Sequence, residues 1–341
     1  MARSWVRVLT LAATLSLGGP ASDATAQGRP ALEFRPRDRV VLLGNTLAER
    51  MQLFNHFETL LAARFPDLSL TVRNLGWSGD TVALQPRPLN FGTTPTHLYR
   101  QKADVVIAFF GLNESFDGET GLPQFEQDLI AWLRANLAAQ YNGSSAPRLV
   151  VVSPIAHERL ERLAGVDVDA RNRELARYTA AMARVCAEQQ VPFVDLFTPT
   201  LALMAVDSPA SPKQGGGGLT INGIHLNETG DRIVAGLLMT ALGFDKGQRL
   251  ASAAQVRQLE QLRELIGEKN QQFFYRWRPV NAEYVVGRRV EPFGSVNFPV
   301  EMQQLDALVA ARDRQIWQRS QAVKGLGYPA QLPAATPGAA Q

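Results

Sequence analysis

The chain is poor in the residues that build disulfide frameworks and metal sites. Its 341 residues include one cysteine and four histidines. A single thiol excludes an internal disulfide, and no histidine stands with other ligand residues at the spacing of a metal site. Cys186 lies in an apolar helical run, which favours a core residue over a nucleophile. The sequence therefore predicts neither a metal nor another cofactor.

A strong excess of charge of either sign is also missing. The 35 Lys and Arg residues face 32 Asp and Glu residues, which leaves a formal net charge of +3. Domains that bind nucleic acid usually carry a far more basic surface. We therefore predict no nucleic-acid partner, and the composition carries no information on the oligomeric state.

Long apolar runs are absent beyond the first residues, so no stable membrane span is predicted. Residues 1–26 have the organisation of a secretory signal. Arg3 and Arg7 form a charged start, the apolar run Val8–Leu17 is too short to span a bilayer, and small residues precede Gln27. We predict cleavage after residue 26 and a periplasmic or secreted protein. An uncleaved anchor is the alternative.

Short apolar runs alternate with helical patterns over most of the chain. This alternation predicts an α/β protein of three layers, α/β/α, with a flavodoxin-like parallel sheet of about five strands. Apolar residues from Leu47 to Leu61 recur at helical spacing and predict one helix after the first strand. The predicted strands are Val40–Leu43, Leu68–Val72, Asp104–Phe110, Leu149–Val152 and Pro192–Leu196.

The character of the chain changes near residue 246, where a long helical pattern replaces the alternation. We predict a sheet domain over residues 36–245, a helical C-terminal appendage over 246–327 and a disordered tail over 328–341. The appendage contains the aromatic and arginine-rich run 273–278. Arg276 and Arg278 of this run are candidates for substrate contact, because arginine binds carboxylates and aromatic faces stack on sugar rings. The alternative is that the run pins the appendage to the sheet.

Four short blocks of small and polar residues stand where the predicted strands and helices meet. In an open parallel sheet, the loops beyond the carboxyl ends of the strands form the ligand crevice. A hydroxyl on the turn after the first strand, such as that of Thr46, is therefore a candidate nucleophile, although it could equally serve only as a helix cap. The blocks are Gly44-Asn45-Thr46, Ser78-Gly79-Asp80, Gly111-Leu112-Asn113 and Asn222-Gly223-Ile224-His225.

These four blocks, in this order, resemble those of the SGNH hydrolases, also called the GDSL esterase family, over roughly residues 39–243. The resemblance implies Thr46 as nucleophile and His225 as its base. It further implies Asn222 as the residue that orients His225, with Gly79 and Asn113 as oxyanion donors. Asn45, beside the nucleophile, is a further candidate for substrate contact. Each of these residues also has a plain structural alternative, as a cap, a turn glycine or a packed histidine.

Three positions depart from the family pattern, in which Asp and Ser occupy the first block and Asp occupies the orienting position. Here Asn45, Thr46 and Asn222 take their places. Threonine is a competent nucleophile, but its extra methyl group crowds attack. An Asn in the orienting role lacks the charge that stabilises imidazolium, and the equivalent change in serine hydrolases costs about 10⁴ in turnover. Asp80 and Glu228 are candidates to supply the missing charge.

We therefore predict a secreted SGNH-type hydrolase of weak activity. Its predicted substrate is a small-molecule or carbohydrate acyl or acetyl ester. The three substitutions keep a second hypothesis open, a non-catalytic ligand- or glycan-binding protein that retains the crevice. Hydrolysis of an ester by the intact chain separates the two hypotheses.

Overall fold

A computed structural model describes residues 32–161, 165–205, 217–278, 283 and 285–329. The predicted signal peptide and all but the first two residues of the predicted tail lie outside these ranges. In the described part of the chain, no helix combines the length and apolar character needed to cross a bilayer.

A five-stranded, fully parallel sheet forms the centre of the protein, with strand order β2-β1-β3-β4-β5. This is the flavodoxin-like order, and it confirms the predicted fold class. The strands are β1 (Arg39–Gly44), β2 (Thr71–Asn74), β3 (Val105–Phe109), β4 (Arg148–Val152) and β5 (Phe193–Val194).

Both faces of the sheet are buried, because successive side chains of a strand point to opposite faces. In β1, Val40 and Leu42 join one hydrophobic cluster, whereas Val41 and Leu43 join the other. This division explains why the strand reads as an unbroken apolar run. The helices are α1 (Thr46–Phe54), α2 (His56–Arg64), α3 (Thr94–Gln101), α4 (Gly118–Ala138), α5 (Val168–Glu188), α6 (Phe197–Leu203), α7 (Glu228–Ala241), α8 (Ala253–Trp277) and α9 (Phe298–Ser320).

The single helix predicted after β1 is in fact two helices, and this is a correction. Asn55 separates α1 from α2 with a left-handed backbone at φ 64°. Asn tolerates this conformation better than most residues. The Asn55 side chain is also held, because its Oδ1 accepts a hydrogen bond of 2.7 Å from Asn270 Nδ2 on α8. Apolar periodicity continues across the break and therefore gave no sign of it.

The second strand is displaced from its predicted position at Leu68–Val72. A turn of 3₁₀ helix covers Pro66–Leu68, and Ser69 takes a left-handed conformation at φ 50°. The strand can pair with β1 only after this turn, so it begins at Thr71.

The C-terminal helices pack back onto the sheet domain. α8 contacts α1, α2, β2 and α9. A third hydrophobic cluster joins Ala63 of α2 to Leu259, Leu262 and Ile266 of α8 and to Ile316 of α9. A small two-stranded sheet, β6 (Arg249–Leu250) and β7 (Leu326–Gly327), ties the start of this region to its end. The boundary near residue 246 stays a prediction.

Candidate active site

A crevice of about 640 Å³ lies beyond the carboxyl end of β1, between the sheet domain and α8. Two of the predicted site residues, Thr46 and His225, both face it. The hydroxyl and the imidazole therefore share one hollow. The crevice is lined by Thr46, Glu49, Arg50, Gln52, Leu53, Asn55, Ser78, His225, Gly267, Gln271, Phe274 and Tyr275.

The turn that carries Thr46 is held tightly against β3. Gly44 has φ 119°, and a Cβ at this position would lie 2.0 Å from the carbonyl oxygen of Phe109. The backbone N–H of Asn45 donates to the same oxygen at 3.0 Å. Only glycine fits this close approach. The position of Thr46 at the rim of the sheet is thus fixed by the backbone before it.

Asn45, not Thr46, caps the helix. The Asn45 side chain is buried, and its Oδ1 accepts a 3.0 Å hydrogen bond from the backbone N–H of Leu47. Thr46 is the first residue of α1 and is half-buried. Within the described residues, no hydrogen bond engages its hydroxyl, and none joins it to His225. The role of Asn45 in substrate contact stays a prediction, and its amide oxygen is occupied by the cap.

His225 is held by Asn222 through two contacts. Asn222 Oδ1 accepts the backbone N–H of His225 at 2.9 Å, and Asn222 Nδ2 lies 3.0 Å from His225 Nδ1. The carboxamide has only one oxygen, and the backbone N–H occupies it. The NH2 group of Asn222 is therefore the part of the amide that faces the ring.

This arrangement favours one tautomer of His225. Because the Asn222 amide donates, Nδ1 of His225 must accept, and the proton of the neutral ring then sits on Nε2. A general base needs the opposite tautomer, with Nε2 free to take the proton of the nucleophile. A carboxylate at position 222 would serve both contacts at once, since each of its oxygens accepts.

Burial lowers the pKa of the His225 imidazole, and the charge of Arg50 lowers it further, whereas Glu49 raises it. The neutral ring thus persists to a lower pH than that of a free histidine.

We expect Arg50→Gln to raise the His225 pKa, because it removes the positive charge that disfavours imidazolium. NMR titration of the His225 ring protons between pH 4 and 8 measures this pKa in both proteins. The His225→Gln variant assigns the signals. Arg276→Gln is the control, and an unchanged or lower pKa in Arg50→Gln contradicts the electrostatics.

Gly79 and Asn113 lie on adjacent loops that are bonded to each other. Asn113 Nδ2 donates to the carbonyl oxygen of Asp80 at 3.0 Å, which uses one of its two N–H groups. Gly79 has φ 85°, and a Cβ built there would meet no atom within 4 Å. Neither residue is among those lining the crevice, whereas their neighbour Ser78 is. Their oxyanion role stays a prediction.

The two carboxylates considered for the missing charge are engaged elsewhere. Asp80 is fully buried and makes a bidentate pair with Arg87, at 2.8 and 2.6 Å. Glu228 lies 3.2 Å from Arg263 on α8. The acidic group that does face the crevice with His225 is Glu49, three residues after Thr46 on α1. Residues three apart lie on the same face of a helix. The spacing of Thr46 and Glu49 could therefore have identified Glu49 from the sequence.

The aromatic run at the end of α8 divides between packing and the crevice. Phe273 and Trp277 are buried, whereas Phe274 and Tyr275 line the crevice. Arg276 faces away from it and pairs with Asp306 of α9 at 2.8 Å. The run therefore packs the appendage with one side of α8 and lines the crevice with the other. Substrate contact by Arg276 stays a prediction.

The comparisons with known proteins agree with the fold. The family model for GDSL-like lipases and acylhydrolases matches residues 42–233, which is more than half of the chain. The chain belongs to the GDSL-like lipase/acylhydrolase family. No curated protein gives a significant match.

Solved structures with the same fold include a gut microbial diltiazem-metabolizing enzyme. It is 19% identical with a TM-score of 0.50, and the alignment covers 66% of this chain and 50% of that enzyme. The M. smegmatis aryl esterase is 16% identical over 60% of this chain and 99% of its own, with a TM-score of 0.42. A carbohydrate acetylesterase from Sinorhizobium meliloti is 17% identical over 61% of this chain and 95% of its own, with a TM-score of 0.40.

Proposed function

We propose that this protein is an ester hydrolase that cleaves small acyl esters with Thr46 as nucleophile. The observation that carries the proposal is that the Thr46 hydroxyl and the His225 imidazole face one crevice in a member of this hydrolase family. The crevice is large enough for a small acyl group and the alcohol it esterifies. We further propose that residues 1–26 direct export, so that the protein acts in the periplasm or outside the cell.

The proposed reaction is acyl transfer in two steps. The Thr46 oxygen attacks the ester carbonyl carbon, and its proton passes to His225 Nε2. The negative charge on the carbonyl oxygen is received by the N–H groups of Gly79 and Asn113. The alcohol then leaves with the proton from His225. Water, deprotonated by His225, cleaves the acyl-threonine and regenerates the hydroxyl.

The proposed activity is weak because the resting tautomer of His225 is the wrong one for the first proton transfer. Nε2 carries a proton while the Asn222 amide donates to Nδ1. The ring must exchange this proton, and lose that hydrogen bond, before it can accept the proton of Thr46. The rate is then limited by the small fraction of neutral His225 rings that carry their proton on Nδ1.

The proposal is tested by hydrolysis of p-nitrophenyl acetate by the purified chain. We expect turnover above the rate of heat-denatured protein, loss of that turnover in Thr46→Ala and a gain in Thr46→Ser, whose hydroxyl lacks the crowding methyl group. Equal rates for the wild-type protein and Thr46→Ala contradict this nucleophile.

The tautomer of His225 also favours one alternative, a binding protein without turnover. In this tautomer Nε2 of the crevice-lining ring is an N–H donor, which suits a ligand oxygen instead of a nucleophile's proton. Saturable binding of an ester or a glycan without any hydrolysis, unchanged in Thr46→Ala, supports this alternative.

A further inference from the structure

Gly79 itself has little packing, so its position depends on the residues beside it. Gly79 is exposed, and a Cβ built on it would meet no atom within 4 Å. Trp77 and Ser78 are held by side chains from other elements, and Asp80 is held by Arg87 of the same loop. These contacts form what we call the Trp77 clamp, which consists of Trp77 with the two ion pairs Glu49–Arg278 and Asp80–Arg87.

One half of the clamp joins three elements at the crevice. Glu49 Oε2, on α1, accepts the backbone N–H of Ser78 at 2.8 Å and also the Ser78 hydroxyl. Glu49 Oε1 accepts from Nη1 of Arg278, at the end of α8. A carboxylate that accepts from a guanidinium and two further donors is held in one orientation. Through Glu49, the end of α8 therefore fixes the residue before Gly79.

The other half of the clamp holds the residue after Gly79. Asp80 is bound in bidentate fashion by Arg87. The two guanidinium groups both stack on Trp77, with Cζ of Arg278 at 3.8 Å and Cζ of Arg87 at 4.4 Å from the ring centroid. Stacking orients a planar guanidinium and leaves its edge N–H groups for the carboxylate. Gly79 is thus bracketed by two stacked arginine–carboxylate pairs.

We infer that Arg278 and Glu49 are positioning residues that hold the Gly79 N–H in place for the oxyanion. The inference rests on the proposed function. It extends the active site to Arg278, which lies outside the matched family segment 42–233. A hydrogen-bond donor that already points at the oxyanion position stabilises the developing charge without any rearrangement of the protein. If the loop moves, the Gly79 N–H no longer points there, and this stabilisation is lost. The C-terminal region is accordingly part of the catalytic apparatus.

The test compares Arg278→Ala with Arg312→Ala, which removes the same side chain from a different ion pair of α8. Arg312 of α9 pairs with Glu268 of α8 at 2.9 Å, and neither residue lines the crevice. We expect kcat for p-nitrophenyl acetate to fall by about 10–100-fold in Arg278→Ala, with KM within about threefold of wild type. Arg278→Lys keeps the ion pair without the stacked plane and should recover part of kcat. Arg312→Ala should retain the wild-type kcat.

A second readout does not require activity. Hydrogen–deuterium exchange of the segment 75–82 should be faster in Arg278→Ala than in wild type and unchanged in Arg312→Ala. Equal exchange in the two variants, or a loss of kcat that Arg312→Ala shares, overturns the inference. If the wild-type protein hydrolyses no ester, the proposed function fails, and the exchange comparison still decides whether Arg278 holds the loop.

Discussion

Replacing Asn222 by Asp is expected to raise kcat for ester hydrolysis by about 10²–10⁴-fold, the reverse of the loss caused by the Asp-to-Asn change in serine hydrolases. One carboxylate oxygen can accept the backbone N–H of His225, as Asn222 Oδ1 does at 2.9 Å. The other can accept from Nδ1. The ring then carries its proton on Nδ1, which leaves Nε2 free to take the proton of Thr46, and the added charge stabilises imidazolium.

The control for this prediction is Asn227→Asp, which makes the same chemical change in the same loop. Asn227 caps α7 by accepting the backbone N–H of Gly230 at 2.8 Å, a role that Asp fills equally well. Asp loses the bond that Asn227 Nδ2 donates to the carbonyl oxygen of Gly218 at 3.1 Å, but neither bond touches His225. Its kcat should stay near wild type. The double variant Thr46→Ser/Asn222→Asp should be the fastest of the series. If Asn222→Asp is no faster than Asn227→Asp, the tautomer does not limit the reaction.

Replacing Lys269 by Met should lower the free energy of unfolding by about 3–5 kcal/mol, because it leaves the buried carboxylate of Glu58 without its cationic partner. The remaining donor to Glu58, the Asn270 amide at 2.9 Å, carries no charge. Lys269 is fully buried on α8, and its Nζ lies 2.6 Å from Glu58 Oε1. It also donates to the carbonyl oxygen of Val72 at 3.0 Å. Urea denaturation followed by circular dichroism measures the change.

Two further variants isolate the cause of that loss. Lys269→Met/Glu58→Gln removes both charges and should recover much of the stability lost in the single variant. Lys324→Met breaks an exposed pair with Asp67 and should leave the unfolding midpoint unchanged. A double variant as unstable as Lys269→Met would show that the cost comes from packing and not from the unpaired charge.

The sheet and the crevice could be predicted from the sequence because both follow from local patterns. Apolar runs such as Val40–Leu43 mark strands buried on both faces, and parallel strands must end at a common edge. Three of the polar blocks follow such strands and were therefore expected to lie near one another, and the structure places Thr46 and His225 at one crevice. The resemblance to the family rests on the four blocks, and the family model over residues 42–233 confirms it.

The orientation of Asn222 and the role of Arg278 could not be predicted, because both depend on contacts across the fold. The sequence shows an amide at position 222 but not which of its atoms faces the ring, and that choice decides the tautomer. Arg278 was identified as a candidate for substrate contact, yet it pairs with Glu49, 229 residues away in the chain. Its role in substrate contact stays a prediction.

Covalent labelling shows directly whether Thr46 is the nucleophile. The protein is treated with a p-nitrophenyl alkylphosphonate, digested with trypsin and mapped by mass spectrometry. The tryptic peptide 40–50 carries Thr46 as its only hydroxyl, and Ser78 falls on a different peptide. We predict a phosphonate adduct on peptide 40–50 that is lost in Thr46→Ala and His225→Ala. An adduct on the Ser78 peptide, or ester hydrolysis that persists with no label on 40–50, would contradict the account.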